Sequence, residues 1–88
     1  MRIHLRASFD HGENELETES RTLRELLLEL SRKYPKVKFY NKERNEVCFN
    51  FFVELNGQMY DTLPDELDTE LKDGDTVEIY AGADYPED

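Results

Sequence analysis

The sequence has no tryptophan, one cysteine, two histidines and no apolar run near the roughly 18 residues that a membrane helix needs. A lone cysteine excludes an intrachain disulfide framework, and two histidines give no cluster at zinc-ligand spacing. None of G-x-x-x-x-G-K-S/T, G-x-G-x-x-G, H-E-x-x-H or G-x-S-x-G occurs, so nucleotide cradling and the common hydrolase constellations lack their residues. The acidic run between Asp61 and Asp75 lacks the D-x-D-x-D-G spacing of a calcium loop. These absences point away from an enzyme and from any bound metal or cofactor. Met1 to Phe9 alternates polar and apolar residues where a leader peptide would carry a basic stretch and then an apolar one, so the expectation is a soluble, cytoplasmic protein with no membrane partner.

Basic residues are scarce as well, 11 against 21 acidic ones, for a formal charge of −10 over 88 residues. The imbalance is uneven: residues 1–44 sum to +2 and residues 45–88 to −12, with Lys72 the lone cation of the second half. That half repels nucleic-acid phosphate and anionic lipid. Arg32, Lys33, Lys36, Lys38, Lys42 and Arg44 do cluster, and any RNA reading rests on them; a solvated lysine-rich loop explains them more simply. A chain of this size buries about 64% of its unfolded surface, enough for one modest core. The reading is one domain over 1–82 and a flexible acidic tail over 83–88.

The apolar residues that remain are well ordered. Ile3, Leu5, Ala7 and Phe9 alternate with polar residues as in a half-buried strand. A turn at Asp10 to Asn14 leads to a polar edge strand around Leu16. Thr22 and Glu25 have capping-box spacing, and Leu23, Leu26, Leu27, Leu30 and Tyr34 form one helical stripe that Pro35 ends. Lys36 to Glu46 reads as a long loop anchored by Val37, Phe39 and Tyr40. Val47 to Leu55 reads as the strongest strand, with Val47, Phe49, Phe51, Val53 and Leu55 on one face. Asn56-Gly57 signals a type I′ hairpin with Gln58 to Tyr60 as its return strand. Leu63, Leu67 and Leu71 anchor a loop with a short helical turn, and Thr76 to Ala81 forms the last strand with Val77 and Ile79 inward. The expected order is β-β-α-β-β-β.

A hairpin, a capped helix across its face and a last strand reached through Leu71-Lys72-Asp73-Gly74-Asp75 resemble the ubiquitin-like β-grasp fold. That is an α+β class with a mixed four- to five-stranded sheet and one main helix packed on one face. Within it the chain is most similar to the small sulfur carriers of the MoaD and ThiS type, through the helix from Thr22 to Leu30, the Phe52-Val53-Glu54-Leu55-Asn56-Gly57 strand and turn, and the Leu67-Asp68-Thr69 stretch before Leu71. The resemblance implies a carboxyl-terminal Gly-Gly that is adenylated and converted to a thiocarboxylate. It also implies a protein partner: an adenylating enzyme or a molybdopterin-synthase-like large subunit. By the Ile79-Tyr80 anchor the Gly-Gly should fall near Tyr85-Pro86, where a phenol ring and a φ-locked imide stand instead; Gly82 is the one glycine after the last strand.

Alternation places Phe52 and Tyr80 on the sheet face away from the helix, beside Cys48, Asn50 and Glu78. Exposed aromatics there suit a partner interface, the alternative being that the Lys36 to Glu46 loop folds over them. The candidate partner-binding residues are therefore Phe52, Tyr80, Gly82 and Tyr85. Cys48 reads as a small half-buried mid-strand side chain; it meets His4 only if their strands are neighbours.

Overall fold

The protein is described by a computed structural model that covers residues 1–8 and 12–81, with backbone alone at 12 and 13. The Phe9 position, the start of the first turn and the tail over 82–88, with Gly82 and Tyr85, lie outside the described residues.

The chain forms β1 (Arg2–Ala7), β2 (Gly12–Glu17), α1 (Leu23–Lys33), β3 (Tyr40–Asn41), β4 (Glu46–Val47), β5 (Phe51–Leu55), β6 (Gln58–Met59), two 3-10 turns (Tyr60–Thr62 and Glu66–Asp68) and β7 (Thr76–Ala81). Five strands make one mixed sheet in the order β2-β1-β7-β5-β6, with β1 and β7 parallel and the other pairs antiparallel. β3 and β4 form a separate two-stranded hairpin. This is the β-grasp architecture, with β2 at one edge as its polar alternation requires.

α1 starts where the sequence says it should. The Thr22 hydroxyl accepts from the Glu25 amide at 3.2 Å, and the Glu25 carboxylate reaches back one residue further than a capping box, accepting from the Arg21 amide at 2.7 Å. The helix ends at Tyr34, whose amide donates to Leu30 at 2.9 Å before Pro35 forces the chain away. Its stripe of Leu23, Leu26, Leu27 and Leu30 is fully buried against Ile3, Leu5, Val53, Val77 and Ile79 on one sheet face. Each of these side chains contributes about 1.5–3 kcal/mol by leaving water.

Two turns fix the register of the central strands. Asn56 (φ 53°) and Gly57 (φ 84°) both take the positive φ of a type I′ turn. The Asn56 side chain donates to Asp75 at 3.0 Å and accepts from the Thr76 amide at 2.9 Å. The corner before β7 turns at Gly74 (φ 91°), where Asp73 accepts from the Arg2 amide at 2.7 Å. β7 is thereby clamped between β1 and β5.

The stretch from 36 to 50 departs from its expectation. Val47 to Leu55 is not one strand: β5 begins only at Phe51, Val47 pairs with Tyr40 in the hairpin, and Cys48, Phe49 and Asn50 make a turn. Asn50 takes φ 78°, which breaks the alternation and leaves Phe49 91% exposed. Phe39 takes the inward place instead, fully buried and edge-on to Phe51 with ring centroids 6.3 Å apart. A four-residue loop closes the hairpin, with Asn41 accepting from the Glu43 and Arg44 amides and Asn45 at φ 55°. Tyr60 begins a 3-10 turn and is not part of the return strand.

Candidate functional site

Because α1 takes one side of the sheet, the alternate residues of the strands line the other. In β7 these are Thr76, Glu78 and Tyr80; in β5, Phe52 and Glu54; in β6, Met59; in β1, His4 and Arg6. Phe52 and Tyr80 are direct cross-strand partners, stacked with centroids 5.4 Å apart and planes 28° from parallel. Phe52 keeps 38% of its surface exposed. The loop over 36–46 does not cover them: Phe39 and Tyr40 bury themselves in the core, and Arg24 of α1 donates to the Tyr40 hydroxyl at 3.2 Å and the Asn45 carbonyl at 2.7 Å. That segment is fastened to the helix side.

The aromatic pair has an acidic border. Glu54 and Glu78 face each other across β5 and β7 in the row next to the rings. The Tyr80 hydroxyl donates to Glu54 at 2.5 Å and lies 4.0 Å from the Met59 sulfur. The hydrogen bond to Glu54 is the largest cause that raises the Tyr80 phenol above its ordinary value, followed by burial and the charges of Glu54 and Glu78. Arg6 lies 3.9 Å from Glu78. The site is an apolar strip with two carboxylates at its rim, suited to binding.

The other residues expected on this face fall elsewhere. Cys48 and Asn50 sit in the turn before β5, so neither joins Phe52. Cys48 instead donates its amide to the Phe39 carbonyl at 2.8 Å, and burial, then the Glu46 charge, push its thiol up, against a lowering by Lys38. A raised thiol is a poor nucleophile at neutral pH. His4 lies on β1, separated from β5 by β7, so the two do not form a pair. Glu54 was within reach of the sequence, since it stands two residues after Phe52; its partner Glu78 could be assigned only once the register was known.

Elsewhere the charges read as solvated surface. Lys33 lies over the Tyr34 ring at 5.7 Å, Arg44 pairs with Glu46 at 3.5 Å, and Arg24 pairs with Asp68 at 3.0 Å. Among the described residues no group of three or more His, Cys, Asp or Glu side chains could hold a metal ion, and no helix is long and apolar enough to cross a membrane.

The sequence matches the ThiS family over residues 4–80. Among solved structures the chain is similar to the small archaeal modifier protein 1 of Methanosarcina acetivorans, at 21% identity and a TM-score of 0.76, covering 97% of this chain and 96% of that one. It is similar to a putative molybdopterin converting factor subunit 1 of Pyrococcus furiosus, at 21% identity and a TM-score of 0.64, covering 93% and 98% of the two chains. It is also similar to a chain of the BexX/CysO complex of Amycolatopsis orientalis, at 19% identity and a TM-score of 0.70, covering 96% and 99%. No curated protein matches it in sequence.

Proposed function

Since the chain belongs to the ThiS family of ubiquitin-like sulfur carriers, we propose that its outer sheet face docks onto a protein partner, either an adenylating enzyme or a molybdopterin-synthase-like subunit. The observation that carries this reading is the stacked Phe52–Tyr80 pair, held open on the face that the helix does not use. Tyr80 stands one residue before the end of β7 at Ala81, so a partner seated on this face reaches the end of the last strand. The chain is a carrier and not a catalyst in this scheme; the partner joins the tail carboxylate to AMP from ATP with release of pyrophosphate, and a sulfide-level donor then displaces AMP to give the thiocarboxylate. The setting is the cytoplasm, consistent with a single free cysteine.

Activation requires a residue without a Cβ next to the reacting carbonyl. No two glycines are adjacent in the sequence, and Tyr85-Pro86 stands where the family's pair should fall. In this reading sulfur loading requires a terminus trimmed to Gly82. The same observation favours a second reading, a non-catalytic ubiquitin-like binding or regulatory module that keeps the docking face alone. Intact-mass measurement separates them: each form, full-length and ended at Gly82, is incubated with ATP, a sulfur donor and the adenylating enzyme of the same source. The carrier reading expects the Gly82 form to gain a sulfur-for-oxygen exchange. An unmodified Gly82 form that still binds the enzyme leaves the module; a form that neither binds nor is modified refutes both.

A further inference from the structure

The outer face also specifies what its partner must carry. Resting on the docking reading above, we propose that the surface it receives presents an arginine, whose guanidinium seats between Glu54 and Glu78 with its plane against the Phe52–Tyr80 pair. Directly opposed like charges on adjacent strands destabilise a sheet, and here the two carboxylates are register partners on β5 and β7. Each has its own intrachain neighbour. Glu54 accepts from the Tyr80 hydroxyl at 2.5 Å, and Glu78 faces Arg6 at 3.9 Å, too long for a hydrogen bond, with the Glu78 side chain 32% exposed and that of Arg6 49%. By register the row across the sheet is Glu13, Arg6, Glu78, Glu54, Met59, so one basic position stands among three acidic ones. The stacked rings form the next row.

A planar cation with several donors answers this arrangement better than a point charge. A guanidinium bridges two carboxylates through a rigid planar fork of N–H groups and lays that plane flat on an aromatic face, whereas an ammonium is a compact, strongly hydrated point charge with no plane to stack. The −12 charge of residues 45–88 draws a basic surface toward the face. A second copy of this chain is a poor occupant, because residues 45–88 sum to −12 in each copy and the two faces would repel.

The test uses the full chain. The isotope-labelled protein is titrated with N-acetyl-arginine methylamide, with N-acetyl-lysine methylamide in comparison, and the Glu54→Gln/Glu78→Gln double variant is carried alongside. The double variant should fold, since it removes a repulsion, and a thermal melt checks this. Arginine should shift the amides of Phe52 to Glu54 and Glu78 to Tyr80 several-fold more than lysine, and the double variant should lose that preference. In calorimetry against the adenylating enzyme of the same source, the double variant should bind about tenfold or more weakly, with a flatter salt dependence. Shifts that are unselective for arginine or persist in the double variant overturn the proposal, as does an enzyme that binds both forms alike. An enzyme that binds neither form removes the docking reading, and the arginine titration then decides the seat alone.

Discussion

Phe39 and Phe49 lie ten residues apart, and the fold gives them opposite fates. Phe39 is fully buried and edge-on to Phe51, whereas Phe49 is 91% exposed on the turn before β5. A buried aromatic withdraws about 200 Å² from water, which at about 25 cal/mol per Å² is about 5 kcal/mol. Truncation to alanine returns part of this and adds a cavity, so Phe39→Ala should cost about 3–5 kcal/mol. An 88-residue domain holds only about 4–13 kcal/mol in total. At about 4–8 °C per kcal/mol for a domain of this size, the midpoint should fall by about 12 °C or more. Phe49→Ala touches no core and should stay within about 0.5 kcal/mol of the parent. Urea and thermal unfolding followed by circular dichroism measure both. If Phe49→Ala is as damaging as Phe39→Ala, the strand runs unbroken from Val47 to Leu55 with Phe49 inward, and the turn at Asn50 is wrong.

Tyr80 and Arg24 each make a polar tie that titration or unfolding can read. Tyr80 is raised first by its hydrogen bond to Glu54, so a spectrophotometric titration should show it ionising above the ordinary tyrosine value, and Glu54→Gln should bring it back down. Because the folded value exceeds the unfolded one of about 10, the stability that this bond adds is complete below about pH 10 and is lost as pH rises through the raised value. Arg24 joins α1 to Asp68, Tyr40 and Asn45; Arg24→Met should lose about 1–2 kcal/mol in urea unfolding, with amide exchange quickening first in the β3–β4 hairpin.

What could be read from the chain was whatever local rules decide. The alternation of Ile3, Leu5 and Ala7, the Thr22 cap, the leucine stripe, the Asn56-Gly57 turn and the inward Val77 and Ile79 each follow from a few neighbouring residues. The failure between 36 and 50 has an equally local cause. Val47, Phe49 and Phe51 alternate in phase with Val53 and Leu55, so periodicity alone joins them, and the break rests on one backbone angle at Asn50. Asparagine tolerates positive φ, which was the available signal at both Asn45 and Asn50. Strands of two residues, such as β3 and β4, are too short to show any period. For the site, alternation placed Phe52 and Tyr80 on the open face, but their stacking and the Glu54–Glu78 opposition depend on β5 lying next to β7, a long-range register that no short window contains.

Cross-saturation of the isotope-labelled chain, bound to the adenylating enzyme of its own source, reads out whether the outer face is the docking surface. Saturation should pass to the amides of Phe52, Glu54, Met59, Glu78 and Tyr80 and leave α1 untouched. Transfer to α1, or to the basic segment from Lys36 to Arg44, with the Phe52–Tyr80 strands unaffected, would contradict the docking reading.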